Sequence, residues 1–229
     1  MPAVQNHLIE LLPRADRTHL LRLSEQVPLD VGSVLCEPGH PTRHVYFPLE
    51  GFVSLVGLND LSPDLEVGMV GREGMLGAAV ALGVTTAPLR LLVQSAGSAL
   101  RVGTAAFRAE LARSAALQRC MNRYLYVLMA QMANWGACHR FHPIEPRLAR
   151  WLLMSQDRSG ADRFHITQEL LAYRLGVRRV GITHAAGSLQ RGGLIEYRRG
   201  DMKVLDRGGL EAAACGCYAA DRQAYAALL

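Results

Sequence analysis

Residues 166–195 read ITQELLAYRLGVRRVGITHAAGSLQRGGLI. Thr167 is placed to cap a helix, and Glu169 in the first turn complements the positive end of the helix dipole. Leu170, Leu171 and Leu175 give this helix one apolar face, and Gly176 stands where a helix ends on a left-handed residue. A three-residue turn leads into a second helix, Arg179 to Arg191. Along it Ile182, Ala185, Ala186 and Leu189 fall on one side, and Val180, His184, Gly187 and Arg191 on the other. Two short helices across a tight, Gly-containing turn make a helix-turn-helix.

The flanking residues extend this unit. Gly192-Gly193 closes the second helix. Leu194–Tyr197, the turn Arg198-Arg199-Gly200-Asp201, and Met202–Leu205 read as a β-hairpin, a wing with a basic tip. The second helix of such a unit enters the DNA major groove with its N-terminal residues near base edges. Arg178 and Arg179 sit at that end, where an arginine can grip guanine O6 and N7 or pair with a phosphate. Thr183 and His184 lie one turn further along. Thr167 and Gln168 open the first helix and are placed for phosphate contacts, as are Arg199 and Lys203 on the wing. The competing reading is a three-helix packing unit with a solvated arginine face.

Charge placement favours the nucleic-acid reading. The formal net charge is +5. Residues 1–140 carry 12 basic and 11 acidic side chains, whereas residues 174–203 carry 7 and 2. A basic excess confined to one stretch is the footprint of a polyanion partner, here double-stranded DNA. A sensor that binds a protein partner instead would bind with little dependence on salt.

Upstream the texture differs. Residues 1–25 read as a helical leader broken at Pro13. From Val27 to Val102 short apolar runs alternate with turn signals (Pro38-Gly39, Glu50-Gly51, Asn59-Asp60, Gly71, Gly97), the pattern of a β-sandwich or roll. A short helix, Met75–Leu82, interrupts it, and Thr104 is placed to cap a helix running through Leu111. Leu117, Met121, Tyr124, Leu128, Met132 and Trp135 then recur at steps of four and three, a long amphipathic helix expected to pair with a second copy of itself. The alternative is a core helix of a monomer. His142-Pro143 and Glu145-Pro146 end this helix and start another. The expected fold is α+β: a jelly-roll-like β-roll sensor domain over 1–113, a dimerisation helix over 114–141, and a winged helix-turn-helix DNA-binding domain over 142–229.

Several classes are set aside. The longest uncharged run, Gly74 to Leu89, is too short and too broken for a membrane span, and no secretory signal is visible, so a cytoplasmic protein with no membrane partner is expected. Five scattered cysteines, Cys36, Cys120, Cys138, Cys215 and Cys217, read as reduced thiols. Cys215-x-Cys217 is the one close pair; without a nearby His it is half a zinc site, so no metal and no cofactor is expected, with a redox role as the alternative. His139 and His142 resemble a short ligand pair, but the strands from Phe52 to Val102 carry no His, so no convergent catalytic site and no enzyme is expected. His40 and His44 have no assigned role.

A β-roll, a long helix and the C-terminal stretch ITQELLAYRLGVRRVGITHAAGSLQRGGLIEYRRGDMKVLDRGGLE together resemble the Crp/Fnr transcription regulators. HVYFPLEGFVSLV and VGREGMLGAAVALG support the likeness in the roll. The resemblance implies a homodimeric regulator of transcription on a palindromic operator, in contact with RNA polymerase if it activates. It places the base-reading positions on Arg179, Val180 and His184. Val180 stands where many members have glutamate and His184 where many have arginine, so a different half-site is expected. Arg178 replaces a small polar residue, and Thr167 matches a backbone-contacting threonine.

In the sensor, the effector segment falls on Arg72, Glu73, Gly74 and Met75. The glutamate of the cyclic-nucleotide binders is kept as Glu73, but Ala87-Pro88 stands where their phosphate-clamping Arg-Ser or Arg-Thr pair belongs, and Arg90 replaces it only if the strand is shifted. The effector is therefore expected to be something other than a cyclic nucleotide, with a cyclic-nucleotide-dependent or thiol-based redox regulator as the alternatives. No cysteine precedes Cys36, so the N-terminal iron–sulfur ligand set of the oxygen-sensing branch is missing. No clear haem ligand set is present.

Overall fold

The computed structural model describes residues 6–58 and 65–229. The expected turn at Asn59-Asp60 lies outside them. The leader is two helices, α1 (His7–Glu10) and α2 (Arg14–Arg22), on either side of Pro13. It ends sooner than expected, because Ser24 already pairs with Val102.

The roll comprises β1 (Ser24–Leu29), β2 (Val34–Cys36), β3 (His44–Gly57), β4 (Leu65–Val70) and β5 (Arg90–Gly103). These form one antiparallel sheet in the order β1-β5-β3-β4, with β2 also on β5. Strands β3 and β5 each run 14 residues, too long to stay flat, and their pairing shifts register between Pro48 and Val53. Bulges of this kind bend a strand and increase its twist. Gly51 (φ 73°) and Gly97 face each other at the bend, and a Cβ on Gly97 would collide with the Glu50 carbonyl oxygen. Only glycine lets the two backbones approach so closely.

The short helix is a 3-10 turn confined to Ala78–Leu82, because Leu76 is taken by a bridge to Tyr46. Helix α3 (Thr104–Arg113) has Gly103, not Thr104, at its N-cap; the Thr104 hydroxyl donates instead to the Thr42 carbonyl. Helix α4 (Ala115–Phe141) is capped by Ser114, whose Oγ accepts from Leu117 N at 3.0 Å. Its 27 residues span about 40 Å at the helical rise.

After His142-Pro143 the chain forms α5 (Ile144–Ser159), β6 (Arg163–His165), α6 (Gln168–Leu175), α7 (Arg179–Arg191), the hairpin β7 (Ile195–Arg198) and β8 (Asp201–Val204), α8 (Arg207–Ala213) and α9 (Cys217–Leu228). The wing sheet has a third strand that was not expected, in the order β6-β8-β7. Among the described residues no helix is long and apolar enough to cross a membrane.

The core of the second half reaches into the roll. Trp151, Leu152, Leu171, Ile182 and Leu189 pack in one cluster with Phe52 of β3 and Met69 of β4. The helix-turn-helix is therefore seated against the β3–β4 hairpin, and α9 folds back along α4, with Asn134 donating to Asp221 at 3.0 Å.

Candidate nucleic-acid interface

Local chemistry builds the helix-turn-helix as the sequence implied. Thr167 caps α6, its Oγ1 accepting from Leu170 N at 3.1 Å. Gly176 ends the helix at φ 60°. A Cβ there would meet Leu65 Cδ1 of β4 at 2.8 Å, so the glycine serves both the turn and the seat on the roll.

Arg178 is the N-cap of α7 and has no side-chain cap bond. Ile182, Ala185, Ala186 and Leu189 are buried, while Arg178, Arg179, Val180, Thr183 and His184 are exposed. The Thr183 hydroxyl donates to Gln168 Oε1 at 2.8 Å and lies 3.2 Å from the Arg179 carbonyl. That bond fixes the start of α6 against the second turn of α7, one turn beyond the arginine pair.

The wing adjoins this end. Tyr197 N donates to Gln190 Oε1 at 2.8 Å, and the Tyr197 hydroxyl donates to the Ile166 carbonyl at 2.7 Å. Burial raises the Tyr197 pKa, and the nearby charge of Arg179 opposes that rise. Arg199 and Gly200 form the two-residue turn with φ 53° and 89°, the left-handed pair a tight hairpin requires. Arg199 is exposed at the tip, and Lys203 is half-buried on β8, paired with the exposed Arg163 of β6. Arg163 was missed in the sequence, because a three-residue strand leaves no readable alternation.

The six residues expected to dimerise lie on α4, on the face it turns to its own chain. Leu117, Met121, Tyr124 and Trp135 are buried in the chain's own core, and Leu128 packs against it, with Met132 half-buried. The 3.6-residue period was correct, but it marks the face that α4 turns to its own domains. The opposite face carries exposed Asn122, Tyr126, Met129, Ala133 and Gly136 at steps of four and three, with Ala137 beside them. Tyr126 is 64% and Met129 69% exposed.

The effector candidates do not converge. Glu73 forms an ion pair between the roll and α5, its Oε1 2.8 Å from Arg158 Nε, and accepts a hydrogen bond from Gly71 N at 3.1 Å. Gly74 leaves room for Tyr124, whose hydroxyl donates to the carbonyl of buried Met75 at 2.9 Å. Arg90 pairs with Glu37 at 2.9 Å, and Arg72 is exposed. Ala87 pairs with the Gly39-His40 turn through both its backbone groups.

Two further clusters escaped the sequence reading. Glu66 of β4 is fully buried where the helix-turn-helix sits on the roll. It accepts from Ser54 Oγ and from Trp151 Nε1 at 2.8 Å, with Arg174 Nε at 3.9 Å. Burial pushes its pKa up to about 7 against the pull of Arg174. Near the end of α4, Cys138 Sγ and Cys215 Sγ are 3.5 Å apart, and Cys217 Sγ is 3.6 Å from His142 Nδ1. The view of Cys215-x-Cys217 as lacking a nearby His is thereby corrected. The hydrogen bond between Cys138 and Cys215 lowers the pKa of Cys138 and raises that of Cys215, so the pair holds one thiolate more readily than two.

Residues 146–213 match the profile of the Crp-like helix-turn-helix domain. No curated protein is matched by the sequence. Among solved structures, FixK2 from Bradyrhizobium japonicum superposes with TM-score 0.71 at 12% identity, over 84% of this chain and 98% of that one. The c-di-GMP-responsive global regulator CLP from Xanthomonas campestris gives 0.68 at 16%, over 85% and 100%. A Crp/Fnr-family transcriptional regulator from Thermus thermophilus gives 0.68 at 22%, over 83% and 98%. At these identities the likeness concerns the fold. Residues 146–213 are thus a Crp-like helix-turn-helix domain, carried by a chain with the fold of the Crp/Fnr transcription regulators.

Proposed function

We propose that the protein is a sequence-specific DNA-binding regulator of transcription that acts as a homodimer on a palindromic operator. The observation that carries this reading is the exposed row Arg178, Arg179, Val180, Thr183 and His184 on α7, locked to Gln168 and flanked by the basic wing. Arg179 and His184 read base edges. Thr167, Gln168, Arg178, Arg199 and Lys203 hold phosphates and set the register.

The second copy docks on the exposed face of α4 from Asn122 to Ala137. Its spacing suits a two-helix seam, and its small residues let two backbones approach. Two recognition helices then enter successive major grooves about 34 Å apart. The signal enters through the β-roll and reaches α7 through the seat at Glu66 and the ion pair Glu73–Arg158, both of which join the roll to the DNA-binding domain. A cyclic nucleotide does not suit this roll, because the segment opposite Gly39-His40 offers Ala87-Pro88 and no phosphate-clamping arginine.

Selection of bound sequences from random DNA, followed by titration of the selected site across salt concentrations, tests the reading. A palindrome whose affinity falls steeply as salt rises is expected, since each neutralised phosphate releases counterions. No enriched sequence, or binding insensitive to salt, would refute it.

A further inference from the structure

We propose that Cys138, His142, Cys215 and Cys217 bind one tetrahedral, thiophilic divalent cation of the zinc class, and that this ion clasps the two ends of the DNA-binding domain.

The four candidate ligand atoms all lie within 4.8 Å of one another. For a tetrahedral ion with sulfur at about 2.3 Å and nitrogen at about 2.0–2.1 Å, the ligand–ligand edges are about 3.8 Å for two sulfurs and about 3.6 Å for sulfur and nitrogen. The observed Sγ–Sγ distance of 3.5 Å and Sγ–Nδ1 distance of 3.6 Å are close to those edges. Three cysteines and one histidine are also a donor set that zinc favours in four-coordinate structural sites. An iron–sulfur cluster spreads its thiolates over several irons, so so compact a set fits a single ion.

The ligands come from separate elements, each fixed independently. Cys138 is in the last turn of α4 and His142 is its C-cap. Cys215 lies between α8 and α9, held by its N–H to the Pro146 carbonyl at 3.3 Å, and Cys217 opens α9. Cys138 is buried while the other three are half-buried, so an ion has a route in. Binding sends the remaining thiol protons to solvent, leaving three thiolates and a neutral imidazole on a dication, a net charge of −1. Arg147 and Arg150 of α5, with only Asp221 among the described residues opposing them, leave the one positive charge that offsets it. Arg150 already bonds Asp221 Oδ2 at 2.6 Å and stacks over Trp135 at 4.9 Å, which holds it beside Cys138.

The position gives the ion its consequence. Cys138 and Cys215 are 77 residues apart, and that loop contains α5, the helix-turn-helix, the wing and α8. One ion would therefore tie the entry and the exit of the DNA-binding domain to the end of the long helix.

The full chain, reduced and stripped with a chelator, is given zinc or cobalt(II), and metal retained through gel filtration is measured. One ion per chain is expected, with the intense visible absorption of tetrahedral cobalt thiolate. Cys217→Ser and Cys215→Ser should each lose retained metal while keeping the wild-type circular dichroism, and Cys36→Ser should keep both. Zinc should slow amide exchange in residues 138–147 and 213–218. Reduced wild-type chain that retains no metal, or that forms a Cys138–Cys215 disulfide in air without ever taking up zinc, would overturn the site. Retention with unchanged exchange would overturn the clasp. None of these readouts uses DNA, so they stand apart from the DNA-binding reading.

Discussion

Glu66 makes the seating of the DNA-binding domain sensitive to pH. Its carboxyl lies on the roll, and two of the groups facing it, Trp151 and Arg174, belong to the second domain. The folded protein holds the Glu66 proton up to about 7, against 4.5 for an ordinary side chain of this type. Below 4.5 both folded and unfolded chains keep the proton, and the neutral carboxyl contributes its full stability. Between the two values the unfolded chain releases the proton while the folded chain keeps it. Above about 7 the folded chain must hold a buried carboxylate, and the contribution is lost. Across that window the loss comes to about 3 kcal/mol, at about 1.4 kcal/mol per tenfold change in proton affinity.

Glu66→Gln isolates this contribution. The amide oxygen still accepts from Trp151, but nothing titrates. Urea unfolding at pH values from 4.5 to 8, followed by tryptophan fluorescence, gives stability curves for both proteins. The wild-type curve should fall relative to the variant by about 3 kcal/mol as pH rises, since other titrating groups cancel in the difference. Parallel curves would refute the assignment of a protonated Glu66 to the domain seat.

Three other outcomes follow from the geometry. Arg179→Ala should cost about 1–3 kcal/mol on the selected operator and relax preference at one base pair, measured by fluorescence anisotropy; an equal loss on random DNA would make it a phosphate contact only. Tyr126→Glu with Met129→Glu should dissociate the dimer in sedimentation while preserving the monomer fold, whereas Met121→Glu with Leu128→Glu should lower the melting temperature, because Met121 is buried in the chain's own core. Gly97→Ala should destabilise the roll by at least about 1–3 kcal/mol in thermal unfolding, because the added carbon meets the Glu50 carbonyl and that backbone cannot move without breaking β3–β5 pairing.

What could be read from the sequence follows from what each signal encodes. The helix-turn-helix was legible because its determinants are local: the Thr167 cap, the left-handed Gly176 and the apolar period of α7 act within a dozen residues. The six dimerisation candidates rested on periodicity, which locates an apolar face without saying what covers it, and most of them are buried within the chain itself. On α4 the larger residues are taken by α9, the roll and α5, and the exposed face keeps small residues with Tyr126 and Met129. Glu66 was passed over because a lone carboxylate in a strand usually faces water, and its partners Trp151 and Arg174 are 85 and 108 residues away. The thiol–imidazole cluster was missed for the same reason, since only the return of α9 to the end of α4 brings Cys215 and Cys217 beside Cys138 and His142.

Under the proposed function, helix α5 would be the element on which signals from the roll and the long helix meet. Its three buried arginines reach four other parts of the molecule. Arg147 donates to the Leu175 carbonyl at the end of α6 and lies 3.1 Å from His139 of α4. Arg150 pairs with Asp221 of α9, and Arg158 with Glu73 of the roll. Burying a guanidinium is costly unless its partner is in place, and removing one partner of a buried pair costs more than the pair contributes. A small drift of α5 would strain all three contacts at once, so intermediate positions are disfavoured. The domain should therefore move between discrete seats, each with its own set of partners for these arginines, rather than slide continuously. On the proposals above, an effector in the roll that shifts Glu73, or an ion at the end of α4 that shifts Cys138, would act on the same rigid helix and bias the same choice.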